Sequence, residues 1–338
     1  MTNYWRHMRY TMKIDQTMRI IGLLADGKFH SGESLGEILG VTRSAVWKSL
    51  KKLTDLGIDI HRVQGKGYAI PNGIEVLETD KITSSMTPEL QSLINSIDIL
   101  PTVNSTNAFL LDKIKQGKTG PMVCLAEHQT QGRGRQGRKW VSPFGKNIYL
   151  SLSWSFPEGP IALAGLTIVA GVAVTRALQK LGLSNLGIKW PNDIYWAGRK
   201  LAGILTEVHL DSVGVCHAVI GVGINVEMSQ NSSQEIDQPW ADIYQALGHS
   251  VQRNQLVGTI ISELLMILAD YEQQGFAAYH TQWQAYDLLH SRQVILNTLT
   301  GVEKGTACGI DENGGLLVKQ GDTVNTYRSG EVHLEPTH

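Results

Sequence analysis

The first 70 residues carry a helix pattern that restricts this part of the chain to few folds. Apolar residues recur at helical spacing over 14–24, and Gly27 follows where a helix C-cap is expected. Ser31 and Thr42 are suitable N-caps for a second and a third helix, which Gly40 separates. Two short helices joined by a tight glycine turn are typical of a helix-turn-helix.

The second and third helices are predicted to have one apolar and one polar face. The apolar side of the second helix is predicted to bury Leu35, Ile38 and Leu39, and that of the third to bury Val46, Leu50 and Leu53. The outer face of the third helix is cationic, and the run IDIHRVQGKGYAI after it is typical of a hairpin wing.

This outer face offers cations for phosphates and hydrogen-bonding groups for base edges. The sequence therefore predicts a winged helix-turn-helix whose DNA-binding residues are Arg43, Ser44, Trp47, Lys48, Lys51 and Lys66. The alternative is a solvated helical subdomain with ordinary surface lysines.

The distribution of charge agrees with an anionic partner for this region. Residues 1–73 hold eleven Lys and Arg against six Asp and Glu, although the whole chain has a formal net charge of −1. No run reaches the roughly 20 apolar residues of a membrane span, so we expect a cytoplasmic protein without membrane contact. The three cysteines are far apart and predict neither a disulfide nor a zinc site; we expect core or strand positions for Cys124, Cys216 and Cys308.

Breaks in the pattern divide the chain into three predicted domains. The turn formed by residues 71–73 closes an N-terminal domain, 1–73, in which residues 1–11 are interpreted as a disordered tail or as the result of an upstream start. Residues 74–285 form a central domain, where short apolar runs alternate with helical ones and predict an α+β fold with a mixed or antiparallel sheet. Residues 286–338 form a C-terminal domain of short strands, with residues 312–315 as a hairpin turn.

Glycine and basic residues are concentrated in residues 131–140, QGRGRQGRKW, which we call the Gly/Arg loop. Its alternating glycines would let backbone N–H groups converge on one point, and its three arginines and one lysine add cationic donors. The loop is therefore predicted to close over phosphate. Its spacing matches neither a Walker A loop nor a Rossmann GxGxxG turn. A basic flexible loop or a nucleic-acid patch is the alternative.

A second segment, residues 189–203, supplies further polar groups; we call it the lysine hairpin. The sequence KWPND ends one predicted strand, and GRKLAG begins another after a short turn. The hairpin is therefore predicted to bring together Lys189, Asn192, Asp193 and Lys200.

These elements, taken in order, resemble the bifunctional biotin-protein ligase and biotin operon repressor family. The matching elements are the N-terminal domain, Ser-Thr-Asn at 105–107, the Gly/Arg loop, KWPND, GRKLAGIL, GVGINV from Gly221 and a small glycine-rich C-terminal domain. The resemblance covers nearly the whole chain. It implies a central mixed α/β ligase domain and a C-terminal SH3-like β-barrel.

The resemblance also implies a two-step reaction and a regulatory role. Biotin and MgATP would give biotinyl-5'-AMP and pyrophosphate, after which a lysine ε-amine of a biotin carboxyl carrier protein would take the biotinyl group. Mg²⁺ would arrive with ATP and not on a protein cluster. The adenylate would act as corepressor, with a homodimer forming on operator DNA when the adenylate is bound.

The site residues follow from the resemblance, position by position. The catalytic residues would be Lys200, Arg135, Asp193 and Lys189. Biotin would be bound by Ser105, Thr106, Asn107, Gln129, Gly132, Arg133, Gly134, Arg135, Lys200 and Gly203. The adenylate would be bound by Arg138, Trp140, Asn192, Asn225, Trp240 and Arg328.

Alternatives remain for several of these residues. Ser105 or Thr106 could cap the helix that follows, Asp193 and Lys200 could be structural, and Trp240 could be ordinary packing. The polar run 229–239 before Trp240 is expected to be mobile without ligand. For the whole protein the alternatives are a non-catalytic biotin-sensing repressor and a lipoate or octanoate transferase.

Overall fold

The structure is a computed structural model that describes residues 17–228, 236–298 and 301–335, without the side chains of 161 and 162. The predictions for residues 1–11, for Ile14 and for the stretch 229–235 of the polar run lie outside the described residues. Within the described ranges, no helix has both the length and the apolar character needed to cross a bilayer.

The N-terminal domain has the predicted winged helix-turn-helix order. Its elements are α1 (17–24), α2 (Gly32–Leu39), α3 (Arg43–Asp55), β1 (His61–Val63) and β2 (Gly67–Ala69). The side chains of Ser31 and Thr42 cap α2 and α3 as expected, because each accepts a hydrogen bond from the free N–H three residues later. Strands β1 and β2 pair antiparallel, with Lys66 exposed in the turn between them.

The prediction that Ile38 is buried was wrong. The side chain of Ile38 is 51% exposed, whereas Leu35 and Leu39 are buried. The buried face of α2 includes Gly36, where an added Cβ would lie 2.8 Å from the carbonyl oxygen of Val41. The buried residues Leu35, Gly36 and Leu39 point in a mean direction close to that of Leu39, and Ile38 lies roughly 100° from it at 100° per residue, so Ile38 faces solvent.

One buried side chain of the N-terminal core comes from the central domain. Phe144 is 2% exposed and packs in the cluster that includes Ile20, Leu24 and Ile70. Phe144 follows the Gly/Arg loop by only four residues. The segment after the loop is therefore part of the N-terminal hydrophobic core.

A buried polar network holds the chain that leaves the N-terminal domain. Arg253 donates to the Glu127 carboxylate at 2.6 Å and to the Glu75 carbonyl oxygen at 2.9 Å. The side chain of Asn254 donates to the Glu75 carboxylate at 2.6 Å, and the N–H of Leu77 donates to Glu127 at 2.6 Å. Each buried charge thus has a charged or hydrogen-bonding partner, which burial requires.

The central domain is built on a seven-stranded mixed sheet, as predicted. Its order is β3-β4-β5-β9-β8-β7-β6, in which only β3 and β4 run parallel. The strands are β3 (Ser96–Leu100), β4 (Met122–Ala126), β5 (Asn147–Phe156), β6 (Leu186–Lys189), β7 (Asp193–Trp196), β8 (Arg199–Leu210) and β9 (Cys216–Asn225).

Helices cover both faces of this sheet. Helix α6 packs its Leu110 and Ile114 on one face, and α7 and α9 pack on the other. The helices are α4 (Thr79–Thr83), α5 (Pro88–Ser92), α6 (Thr106–Lys115), α7 (Leu166–Lys180), α8 (Ile243–Leu247), α9 (Arg253–Gln274) and α10 (His280–Gln284). Short 3₁₀ turns occupy Arg135–Gly137, Gly159–Leu163 and Phe276–Tyr279.

The C-terminal domain is a five-stranded antiparallel sheet of order β13-β12-β11-β10-β14. Its strands are β10 (Gln293–Asn297), β11 (Val302–Ile310), β12 (Leu316–Gln320), β13 (Thr323–Tyr327) and β14 (Glu331–Leu334). The predicted turn at 312–315 connects β11 and β12, and the Asp311 carboxylate accepts two backbone N–H groups within it. The SH3-like barrel stays a prediction.

The cysteines follow the expectation of core or strand positions, with one difference in burial. Cys124 and Cys216 are buried strand residues, whereas Cys308 lies in β11 with an exposed side chain. The C-terminal sheet has one solvated face, so alternate residues of its strands meet water.

Candidate adenylate-forming site

A cavity of about 200 Å³ lies where the start of α6, the Gly/Arg loop, the lysine hairpin and β9 meet. The predicted site residues on its wall are Ser105, Thr106, Asn107, Gln129, Arg133, Gly134, Arg135, Arg138, Trp140, Asn192, Asp193, Lys200 and Gly203. Segments that are far apart in sequence thus converge on one concave site, which is the usual form of a small-molecule site.

The Gly/Arg loop folds back on itself as a small hairpin. The N–H of Gly134 donates to the Arg138 carbonyl oxygen at 2.7 Å, and that of Trp140 donates to the Gly132 carbonyl oxygen at 2.9 Å. The expected convergence of N–H groups on a phosphate is therefore not formed at Gly134, because the hairpin satisfies that donor internally. The loop offers its arginine side chains to the cavity instead, as Arg133, Arg135 and Arg138 all line it.

The glycines around Trp140 make room for its indole ring. A Cβ at Gly223 would lie 2.5 Å from the ring and one at Gly203 would lie 3.1 Å from it. The Lys200 ammonium lies 5.6 Å from the ring centroid, within cation–π range. The glycines of GVGINV and GRKLAG thus allow an aromatic wall to lie directly on the sheet.

The lysine hairpin brings its polar groups together as predicted. Lys189 and Asp193 are paired across β6 and β7. The Lys200 ammonium lies 2.8 Å from the Asp193 carboxylate, and both side chains are at least 85% buried. Arg135 donates to the side-chain oxygen of Asn192 at 3.3 Å, which ties the loop to the hairpin.

Two cations of this region have depressed pKa values. Burial lowers the pKa of the Arg135 guanidinium and of the Lys189 ammonium, while the nearby Asp193 carboxylate opposes both shifts. Burial also raises the pKa of Tyr195, whose ring lies 5.5 Å from the Lys189 ammonium, to about 12. These cations pay a desolvation cost that an anionic ligand would offset.

A chain of polar side chains forms one wall of the cavity. The N–H of Thr106 donates to the Gln129 side-chain oxygen at 2.9 Å, and Gln129 donates to Ser142 at 3.3 Å. The Ser105 side chain caps α6, so its structural alternative is confirmed. Capping leaves the Ser105 hydroxyl proton available, so it does not exclude ligand binding.

Two residues that lie behind this polar wall and bond to Asn107 were not among the predicted residues. Ser151 lies 2.6 Å from the side-chain oxygen of Asn107, and Glu207 accepts from the Asn107 amide at 2.8 Å. The sequence held a signal for Ser151, because it is a hydroxyl in the middle of the apolar run NIYLSLSW. The sequence around Glu207 gave no indication that this residue contacts the site.

The other predicted site residues lie around the cavity and not on its wall. Asn225 and Trp240 line a neighbouring cavity that shares Trp140 and Lys200 with the first. Gly132 is buried, and a Cβ there would lie 2.6 Å from the Trp140 carbonyl oxygen. Lys189 lies opposite Asp193, on the neighbouring strand β6, and does not line the cavity.

Arg328 is placed apart from the proposed adenylate residues. It pairs with Asp311 of the C-terminal domain at 2.8 Å and lines a separate cavity on the far side of Arg135. Its predicted role at the adenylate therefore has less geometric support than the roles of Arg135 and Lys200.

The outer face of α3 is as cationic as predicted. Trp47 is 51% exposed, and the Lys51 ammonium lies 5.9 Å from the centroid of its ring. The remaining predicted DNA contacts are also exposed; they are Arg43, Ser44, Lys48 and Lys66.

Comparison with known families matches all three parts of the chain. Residues 17–69 match a helix-turn-helix domain, residues 99–225 match the biotin/lipoate A/B protein ligase family, and residues 291–334 match the biotin protein ligase C-terminal domain.

Comparison with individual proteins extends these matches over nearly the full length. The chain is 40% identical over 317 residues to the bifunctional ligase/repressor BirA of Escherichia coli K12, covering 94% of this chain and 96% of that protein. It is 31% identical to the Bacillus subtilis 168 protein of the same name, covering 92% and 95%. The biotin protein ligase of Aquifex aeolicus in complex with biotin and ATP superposes with a TM-score of 0.62 and 27% identity, over 72% of this chain and 100% of that one. The chain therefore belongs to the biotin protein ligase family, in its bifunctional ligase/repressor branch.

Proposed function

We propose that this protein forms biotinyl-5'-AMP from biotin and MgATP and transfers the biotinyl group to a lysine of a biotin carboxyl carrier protein. The convergence of Arg135 and the Lys200–Asp193 pair on one cavity beside a neutral polar wall carries the proposal. The cations suit a carboxylate and a phosphate, and the polar wall suits the ureido ring of biotin. Mg²⁺ would be bound by the ATP phosphates.

In the first step, a biotin carboxylate oxygen bonds to the α-phosphorus of ATP and the bond to pyrophosphate breaks. Two anions must approach each other, so the site has to neutralise charge more than it has to move a proton. Lys200 is suited to stabilise the crowded oxygens, since its ammonium is held by Asp193 and by the face of Trp140.

In the second step, the carrier amine attacks the biotinyl carbonyl carbon, AMP leaves with the C–O electron pair, and the amine loses a proton. A lysine amine is mostly protonated at neutral pH, so a carboxylate near the attacking nitrogen is useful. We assign this orienting role to Asp193, which lies on the cavity wall and already interacts with an ammonium group.

The direct test is ATP-dependent labelling of a purified carrier domain with biotin or with lipoate. We expect biotin to be incorporated and lipoate not to be, and omission of ATP or Mg²⁺ to abolish labelling. Incorporation of lipoate in place of biotin would reject the proposal in favour of a lipoate transferase. Tight biotin binding without any adenylate would favour a non-catalytic sensor.

Replacing Arg135 by alanine is expected to weaken retention of the adenylate. A charge-assisted hydrogen bond contributes about 1.5–3 kcal/mol, so release should be roughly 10- to 100-fold faster. The measurement is the rate at which preformed adenylate leaves the protein after dilution. Arg292→Ala, at an exposed arginine before β10, is the matched control and should release adenylate at the wild-type rate. Equal release from both variants would contradict the role of Arg135.

We also propose that the adenylate-bound protein forms a homodimer that represses transcription by binding operator DNA through α3 and the wing. The support is an open strand edge. Strand β7 pairs with β8 only as far as Gly203, so the outer edge of 205–210 carries no strand within the described residues. Val208 and Leu210 are exposed there by 45% and 55%. Such an edge is suited to pairing with a second copy.

Replacing both Val208 and Leu210 by aspartate is expected to abolish dimerisation, because it places charge in the proposed strand pairing. Sedimentation with and without adenylate measures this, and ligase activity should be retained. Val324→Asp, at a 52% exposed valine of β13, is the control. A dimer that forms equally well without adenylate would remove the corepressor mechanism.

A further inference from the structure

The direction in which hydrogen bonds run along the polar wall depends on a residue outside the cavity. Asn107 is 3% exposed and lies at the start of α6, on the cavity wall. Its amide nitrogen donates to the Leu205 carbonyl oxygen at 3.1 Å and to the Glu207 carboxylate at 2.8 Å. Both amide protons are thus used on acceptors that have no proton to give.

The reversed amide would be strongly disfavoured. Turning Asn107 over would place its oxygen against both the Glu207 carboxylate and the Leu205 carbonyl oxygen, so two acceptor pairs would face each other without a proton. It would also leave the partly buried Glu207 carboxylate without its amide donor. Glu207 and Leu205 together therefore fix the Asn107 side-chain oxygen on the side of Ser151.

The fixed amide then orders the hydroxyls before it. Ser151 Oγ lies 2.6 Å from the Asn107 side-chain oxygen and 2.8 Å from Thr106 Oγ1. A hydroxyl has one proton and the amide oxygen can only accept, so Ser151 gives its proton to Asn107. Thr106 Oγ1 is the second acceptor of the Ser151 hydroxyl, and the Thr106 hydroxyl gives its own proton to the Gln129 side-chain oxygen at 3.2 Å.

This order decides what the cavity presents to a ligand. With Ser151 donating towards Asn107 and Thr106, and the Thr106 proton on Gln129, the remaining lone pair of Thr106 Oγ1 is left as an acceptor for a ligand N–H group. A site with fixed donors and acceptors discriminates strongly, because a mismatched ligand leaves buried polar groups unpaired.

Glu207 acts on the polar chain through Asn107. It is absent from the described residues that line the cavity. Its second contact, with Arg133 at 3.2 Å, reaches a guanidinium that is 44% exposed, so screening by solvent weakens that pair. The orienting contact is the one to Asn107.

We propose that Glu207 is a positioning residue for biotin: it sets the polarity of the chain formed by Asn107, Ser151 and Thr106. The inference rests on the proposed function, since it assigns the polar wall to the ureido ring. It predicts a defect in biotin binding without a matching defect in ATP binding.

The test compares Glu207→Leu with Glu207→Gln in steady-state adenylate formation. The leucine removes the acceptor for Asn107, and the KM for biotin should rise about 10- to 100-fold, with the KM for ATP unchanged and kcat within about threefold. Glutamine keeps an acceptor oxygen and removes only the charge, so it should restore the KM for biotin to within about threefold of wild type. Glu89→Gln, at an exposed glutamate of α5, is the control for charge removal.

Each outcome decides the question. An unchanged KM for biotin in a folded leucine variant would overturn the proposal. An equal rise in the leucine and glutamine variants would also overturn it. The loss of the ion pair between Glu207 and Arg133, and not the orientation of Asn107, would then be responsible. If Glu207→Leu does not fold, Ser151→Ala interrupts the same chain and should show the same split between biotin and ATP. Use of biotin by the wild-type enzyme tests the proposed function separately.

Discussion

Replacement of Lys200 by methionine is expected to lower the rate of adenylate formation by about 10²- to 10³-fold, the usual effect of removing one preorganised group that stabilises a transition state. The methionine keeps much of the side-chain volume against Trp140 but has no ammonium to place between the carboxylate and the α-phosphate. Single-turnover release of pyrophosphate measures the chemical step directly.

Two further variants separate this loss of charge from damage to the fold. Lys200→Met leaves the Asp193 carboxylate without its partner, and breaking such a buried pair is destabilising. The double variant Lys200→Met with Asp193→Asn removes both charges and should recover stability without recovering adenylate formation. Lys118→Met, at an exposed lysine after α6, should behave as wild type. A wild-type rate in Lys200→Met would rule out the catalytic role.

Replacement of Phe144 by alanine is expected to destabilise the N-terminal domain by about 3–5 kcal/mol, the usual cost of deleting a buried phenylalanine side chain. Phe144 belongs to the central domain in sequence but fills the core around Ile20, Leu24 and Ile70. Its loss should leave a cavity under α1 and free the segment that follows the Gly/Arg loop.

Hydrogen exchange of the backbone amides in α1 and α3 measures this effect, because exchange reports the free energy of local opening. Protection there should fall, while protection in β5 and β9 should change little. Phe29→Ala is the control, since Phe29 is 41% exposed and its removal opens no cavity. Unchanged protection in the Phe144 variant would show that the N-terminal core is complete without this side chain.

The parts of the fold that sequence could predict are those fixed by local chemistry. Caps at Ser31 and Thr42, the glycine turn at Gly40 and the hairpin wing depend on residues close in the chain, and each was confirmed. The lysine hairpin was predictable for the same reason, because Lys189 and Asp193 are separated only by a turn.

The parts that escaped prediction depend on contacts between distant segments. Nothing in the sequence distinguishes Phe144 from other apolar residues, and its role depends on the N-terminal core that packs around it. The pair formed by Glu127 and Arg253 spans 126 residues, and that of Asn107 and Glu207 spans 100. No local periodicity indicates such pairs.

Errors in exposure have a similar origin. Ile38 fits the helical repeat, but the close approach of Gly36 to the Val41 carbonyl rotates the buried face of α2 away from it. The glycines of the Gly/Arg loop suggested backbone N–H groups that converge on a phosphate, whereas the N–H of Gly134 bonds within the loop; contact of the loop with phosphate stays a prediction. In both cases the residue type indicated the kind of contact, but the sequence did not indicate the direction in which the residue faces.

The anchoring of the N-terminal domain by Phe144 and Arg253 has a consequence for operator architecture. A recognition helix on a flexible linker could reach half-sites at many separations. One that is fixed to the ligase domain by packing and hydrogen bonds cannot. In the proposed dimer, the distance and the helical phase between the two half-sites would therefore be dictated by how the two ligase bodies meet.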